Sequence, residues 1–273
     1  MSISLCTITF RHHLQSIENI ATWAAKNDFE GIELWGAHAR NLACHEKYDA
    51  LWIQSYGLSV SMISDYLSFH VSTEAVCDHV AELSDLAKRW QTDKIRVFAG
   101  DVASQAATSS TYEQVVNTLR LACEQLQAHG QMLVIETHPH TLADTPASLV
   151  RLIEEVDYPN LKVNFDVLHI WESGADPVIV YKDLESHIVY MHLKNVRARA
   201  DLAVFAPEQV FSASGVREGM TSLFGGCINY ERFFKEIAPI NKELPMALEW
   251  FGEAPFSVLQ QDKNDLARCL YHT

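Results

Sequence analysis

Val134-Ile-Glu-Thr-His138 closes an apolar run that stops abruptly at a carboxylate. Three other apolar runs stop in the same way, at Val163-Asn-Phe-Asp166, Val189-Tyr-Met-His192 and Met246-Ala-Leu-Glu249. Side chains alternate faces along a strand, so each run shows which residues point together. Met132, Val134, Glu136 and His138 share one face, and Asn164 and Asp166 another. Tyr190, His192 and Lys194 share a third, and Ala247, Glu249 and Phe251 a fourth. Two Glu, one Asp and one His at strand ends make an oxygen-rich donor set for one divalent cation. The rest of the chain reads as the scaffold that gathers those ends.

Working outward, the same alternation of short apolar runs and helical stripes recurs along the whole chain. Ile3 to Phe10 reads as a first strand, ending at Arg11-His-His13. Gly31 to Trp35, Leu58 to Ser64 and Lys94 to Phe98 read as the next three, and Ile188 to His192 as the seventh. Between them apolar residues recur at helical spacing, as in Val76, Val80, Leu83 and Ala87. Ser110 and Glu113 have the spacing of a capping box, and Gly130 suits the end of that helix. Thr145-Pro146 and Asp176-Pro177 read as N-caps followed by a first-turn proline. Eight strand–helix units without a Gly-rich phosphate loop predict an α/β fold, a closed parallel (β/α)8 TIM barrel spanning 1–273 as a single domain. Its functional groups belong at the C-terminal ends of the strands, where the acidic and His residues accumulate.

The bulk composition narrows the partners. A chain of 273 residues, 48% hydrophobic and 21% charged, is long and apolar enough for one large packed domain. A net charge of −14 argues against nucleic acid as a partner but leaves room for a small anionic substrate. The six cysteines are scattered without a C-x-x-C pair, as expected for reduced thiols. The N-terminus lacks a signal-peptide pattern and no apolar run spans a bilayer, so a soluble, cytoplasmic protein without a membrane partner is expected. Assembly as a homo-oligomer is left open.

A single acidic residue at a strand end is commonly a helix cap or a solvated side chain. Four of them ending the fifth to eighth strands in turn point to a metal site, because clustered carboxylates repel one another without a cation. With no cysteine in the set, Mg²⁺, Mn²⁺ or Co²⁺ suits it better than structural zinc. His138, two residues beyond Glu136, is placed to act as a general base. Lys194 and Phe251 stand in the same relation to His192 and Glu249, and suit a planar, oxygenated, anionic ring. Arg96 in an otherwise apolar strand points to an anionic substrate group or a buried pair. His169 fits a second metal, the substrate or a structural role equally well. Residues of about 195–228 form a long connection with Phe205, Phe211 and Arg217, expected to act as a lid.

Longer landmarks then carry a resemblance. Ser4-Leu-Cys-Thr-Ile-Thr-Phe-Arg-His12, Phe29-Glu-Gly-Ile-Glu-Leu-Trp-Gly36, Met62-Ile-Ser-Asp-Tyr-Leu67 and Lys94-Ile-Arg-Val-Phe-Ala-Gly100 cover the first half. Glu136-Thr-His-Pro139, Leu168-His-Ile-Trp-Glu-Ser-Gly-Ala-Asp-Pro177 and Leu248-Glu-Trp-Phe-Gly252 cover the second. Together the chain resembles the bacterial 3-dehydroshikimate dehydratases, within the xylose-isomerase-like metal-dependent barrels. The resemblance implies a hydro-lyase converting 3-dehydroshikimate to protocatechuate. Loss of the C4 proton would give a metal-stabilised enolate, the C5 hydroxyl would leave, and tautomerisation would complete the aromatic ring. It assigns Glu136, Asp166, His192 and Glu249 to one Mn²⁺, Mg²⁺ or Co²⁺ ion, with His138 as base beside Glu136. Tyr66, Arg96, His169, Lys194, Phe205 and Phe251 would line the substrate pocket, with Arg96 or Lys194 meeting the carboxylate. Family members serve both siderophore biosynthesis and quinate/shikimate catabolism. The rival reading is a divalent-metal-dependent sugar or hydroxy-ketone isomerase or epimerase, using the same ion and an enediolate.

Overall fold

The computed structural model describes residues 2–238 and 244–271. Eight parallel strands close into a barrel: β1 Ile3–Cys6, β2 Gly31–Trp35, β3 Ser59–Ser64, β4 Lys94–Val97, β5 Met132–Glu136, β6 Leu161–Asp166, β7 Ile188–Leu193 and β8 Met246–Leu248. Each strand pairs with its sequence neighbours, and β8 closes the ring against β1 with Ile3 opposite Met246. The helices that cover it are α1 Ile17–Lys26, α2 Gly36–Ala43, α3 Ala50–Gln54, α4 Thr73–Trp90, α5 Ser109–Gln127, α6 Pro146–Val156, α7 Val167–Glu172, α8 Pro177–Leu184, α9 Pro207–Val210, α10 Tyr230–Glu236 and α11 Pro255–Tyr271. Among the described residues no helix is long and apolar enough to cross a membrane.

Local chemistry accounts for most boundaries. Thr145 and Asp176 cap α6 and α8 through Ser148 N and Val178 N, each with proline in the first turn, as the sequence predicts. The predicted Ser110/Glu113 box is displaced: α5 starts at Ser109, and Thr108 is the cap, accepting from Thr111 N at 3.1 Å. Four hydroxyl residues, Thr108 to Thr111, run consecutively there, so spacing alone does not single out one. The first strand is also shorter than predicted, with Thr7–Phe10 forming a 3₁₀ turn. Thr7 Oγ1 accepts from Trp35 N at 2.9 Å, which replaces a ladder bond and frees the backbone to turn. The last strand stops at Leu248, although Glu249 N still donates to Leu193 O at 3.1 Å.

Two bulges set which side chains face inward. Ile32 lies opposite Val60 but Glu33 opposite Met62, leaving Ser61 as an extra residue in β3. Val163 lies opposite Ile188 but Asn164 opposite Tyr190, leaving Val189 extra in β7. An extra residue re-aims the side chains beyond it, and in β7 it brings His192 opposite Asp166. Met62, Val134, Tyr190 and Ala247 fill the barrel interior beneath the polar end. A larger apolar core packs the outer strand faces against the helices.

The long connection has structure of its own. Asn195–Val196 pair antiparallel with Met220–Thr221, and a 3₁₀ helix (Arg199–Phe205) and α9 lie between them. The buried Asn195 amide donates to Leu223 O at 2.7 Å and Ile228 O at 2.9 Å, and its oxygen accepts from Ile228 N. A Cβ at residue 226 would sit 2.3 Å from the Asn195 side chain, so glycine permits this close base. Asp262 on α11 accepts from Leu223 N at 2.8 Å and ties the same base to the barrel wall.

Candidate active site

Glu136 ends β5, Asp166 ends β6, His192 lies in β7 and Glu249 comes directly after β8; all four are buried. One donor atom from each falls within 4.8 Å of the others, close enough to share an ion. Glu136 Oε2, Asp166 Oδ2 and His192 Nδ1 are buried without a well-directed hydrogen bond. Charge counting tests the fit. Glu33, Glu136, Asp166 and Glu249 place four carboxyl groups in this end of the barrel, against two buried cations, Arg96 and Lys194. The excess of two negative charges matches one divalent cation when His192 is neutral. Three carboxylates and an imidazole suit Mg²⁺, Mn²⁺ or Co²⁺.

The neighbours of each donor reflect the same crowding. Lys194 Nζ lies 2.7 Å from Asp166 Oδ2 and 2.6 Å from Glu249 Oε2. Arg96 Nε lies 2.9 Å from Glu136 Oε2, and Arg96 Nη1 donates to Asp65 O at 3.4 Å. Burial opposes ionisation of Glu136, but Arg96 and His192 override it and hold its carboxyl well below the usual range. Glu249 is lowered likewise, with burial overcome by His192 and Lys194. Burial alone would push the His192 ring down; Glu249, Glu33 and Glu136 reverse this and hold it well above its ordinary value.

Beside the donors stands His138. Its Nδ1 lies 2.8 Å from Pro139 O. A carbonyl only accepts, so Nδ1 carries the hydrogen and Nε2 offers a lone pair. Phe98 and His169 pack on the ring, with centroids 4.3 and 4.5 Å away. Burial, then the neighbouring His169, push its pKa well below the ordinary value. A base held that low stays unprotonated through neutral pH. At saturating cation the acid limb of log kcat/KM against pH is therefore expected well below pH 6.5; a limb at or above that value under those conditions would remove His138 as the base. His169 is buried, with Nδ1 2.8 Å from Glu172 Oε2.

Tyr66, Arg96, Phe98, Glu136, His138, His169, Lys194, Glu249 and Phe251 line one cavity of about 70 Å³. Phe205, Pro207, Val210 and Phe211 of the long connection complete its wall. Arg96 lies over the Tyr66 and Phe98 rings at 5.6 and 4.8 Å, and Lys194 is 5.7 Å from the Phe205 and Phe251 centroids. Every residue expected from the sequence at the site is thus brought to this one end of the barrel.

A family model for the xylose isomerase-like TIM barrel matches residues 21–268. The chain belongs to that family. Within the xylose isomerase-like barrels, it is 41% identical over 268 residues to a 3-dehydroshikimate dehydratase of Bacillus anthracis, covering 96% of this chain and 95% of that one. A crystal structure described as "the probable 3-DHS dehydratase AsbF involved in the petrobactin synthesis from Bacillus anthracis" superposes with a TM-score of 0.93. It shares 40% identity and covers 98% of this chain and 99% of that one. A structure of an L-ribulose 3-epimerase superposes at a TM-score of 0.77, with 16% identity over 100% of this chain and 95% of its own. That likeness is one of fold.

Two residues at the site were not singled out from the sequence. Glu33 sits in an apolar stretch, Gly31-Ile-Glu-Leu-Trp35, yet it is fully buried and reaches His192 Nε2 at 2.8 Å. A carboxylate flanked by apolar residues inside a strand was the available signal, the same one that drew attention to Arg96. Glu172 holds His169 from the end of α7. Its spacing of three after His169 on a helix was legible, but a half-exposed Glu looks like any surface residue.

Proposed function

We propose that this chain is a 3-dehydroshikimate dehydratase, a hydro-lyase that uses one divalent cation held by Glu136, Asp166, His192 and Glu249. The observation that carries it is the 41% identity to the Bacillus anthracis enzyme along almost the entire length of both chains. The site supports it: a base, two cations and aromatic walls surround the donors, which suits a flat carboxylated ring better than a polyhydroxylated sugar chain. When bound, the cation supplies a Lewis acid for the substrate ketone. His138 Nε2 takes the proton from C4, the C4–H electrons move into the ring, and the C5–O bond breaks. The hydroxyl leaves as water with the proton that His138 received, and tautomerisation of the ring gives protocatechuate. Arg96 orients the carboxylate, with Lys194 as the rival candidate, while Tyr66, Phe98, Phe205 and Phe251 hold the ring and exclude solvent. The segment of about 195–228 closes over the substrate as a lid.

The test is direct. Protein stripped with a chelator is mixed with 3-dehydroshikimate, Mn²⁺, Mg²⁺ or Co²⁺ is restored, and protocatechuate is followed by absorbance. Metal-dependent product supports the reading; folded protein giving none with any of the three ions ends it. Supply of a catechol to siderophore assembly is the role the relative supports, and expression repressed by iron would separate it from quinate or shikimate catabolism.

The protonation of His192 gives a second test. In the ion-free protein the carboxylates of Glu249, Glu33 and Glu136 raise the pKa of the ring and favour its charged form, whereas a ligating imidazole must be neutral. Cation uptake at pH 7 is therefore expected to release about one proton, and affinity should rise with pH until the folded-state pKa of His192 is passed. Calorimetry in buffers of different ionisation enthalpy counts that proton; a count of zero would exclude His192 as a ligand.

A further inference from the structure

Glu33 differs from the other carboxyl groups at this end of the barrel because it approaches a donor from behind. Its Oε2 lies 2.8 Å from His192 Nε2, and both side chains are fully buried. The opposite ring nitrogen, His192 Nδ1, faces the cluster, 3.3 Å from Glu136 Oε1 and 3.6 Å from Glu249 Oε2. A carboxylate only accepts, so Nε2 carries a hydrogen, and the neutral ring that a cation requires offers its lone pair at Nδ1. The second oxygen of Glu33 accepts from the buried Ser64 hydroxyl, so both ends of the carboxylate are engaged. The β3 bulge at Ser61 sits at this level of the sheet, where the pairing shifts between Ile32 and Glu33.

We infer that Glu33 is a positioning residue for the metal, fixing His192 with Nδ1 as the ligating nitrogen. The inference rests on the reading of Glu136, Asp166, His192 and Glu249 as one cation site. Ser64 positions Glu33, Glu33 positions His192, and His192 meets the ion. Such a partner fixes ring orientation and tautomer and strengthens the nitrogen as a donor. A merely structural Glu33 would instead pin β2 to β7 and contribute to folding alone. The two roles differ in what they do to ion affinity.

The experiment compares wild type with Glu33→Gln, each stripped and titrated with Mn²⁺, free ion being read by electron paramagnetic resonance. The amide can offer His192 either an acceptor or a donor, so it no longer enforces one tautomer. The dissociation constant is expected to rise about 10- to 100-fold, with circular dichroism unchanged. A folded variant binding Mn²⁺ within twofold of wild type would overturn the inference. The wild type also reports without any substitution. Loaded with Co²⁺, it should show one hyperfine-shifted, slowly exchanging imidazole N–H in its proton spectrum, from His192 Nε2. Its absence from Co²⁺-loaded protein overturns the inference even if Glu33→Gln does not fold. Failure of the wild type to bind Mn²⁺ at all would instead overturn the cation site on which the inference stands.

Discussion

His138→Ala is expected to lower kcat by about 10³-fold while leaving the fold and the bound cation in place, in line with the 10²–10⁴ that a positioned base contributes. The reasoning begins with the hydrogen bond to Pro139 O, which leaves the Nε2 lone pair without a proton. Packing by Phe98 and His169 restricts the ring, so little reorganisation remains when substrate arrives. Truncation removes that nitrogen but touches none of the four donors. Affinity for Mn²⁺ should consequently stay within a few-fold, and KM should change far less than kcat. A variant that keeps more than a tenth of wild-type turnover would remove His138 from the chemistry. Loss of the cation together with turnover would show that the residue supports the metal site instead.

The donor set was legible in the sequence because strand geometry is periodic. Glu136, Asp166, His192 and Glu249 each end an apolar run, and parallel strands in a barrel bring such ends to one rim. That logic does not require contacts to be known. Where it fell short, the missing information was tertiary. The one-residue slips at Ser61 and Val189 cannot be seen in the period of either strand, although they decide what Glu33 and His192 face. Thr7 ended β1 early through a bond to Trp35, 28 residues away. The connection of about 195–228 read as a loop because its ladder strands, Asn195–Val196 and Met220–Thr221, are too short to leave a pattern. Asn195 organises its base through four backbone groups, a role that an isolated Asn does not announce.

Arg96→Met is expected to raise KM for 3-dehydroshikimate about 100-fold and to destabilise the ion-free protein by about 3–5 kcal/mol. The second effect arises from burial. Arg96 and Glu136 are 4% and 3% exposed at 2.9 Å, so removal of the guanidinium strands a carboxylate in a dry site. Thermal melts with and without Mn²⁺ would separate this from catalysis, since a bound cation restores a partner to Glu136. The first effect decides between the two candidates for the substrate carboxylate. Lys194 donates to Glu249 Oε2 at 2.6 Å and lies 2.7 Å from Asp166 Oδ2, so its charge is already shared between two carboxylates. Arg96 contacts Glu136 through Nε and Asp65 O through Nη1, which leaves Nη2 for a second carboxylate. The methyl ester of the substrate makes the comparison specific. Wild type should discriminate against the ester by about 100-fold in kcat/KM, and Arg96→Met should discriminate hardly at all. If the discrimination survives in Arg96→Met but vanishes in Lys194→Met, the carboxylate belongs to Lys194, and Arg96 serves to balance the charge of Glu136.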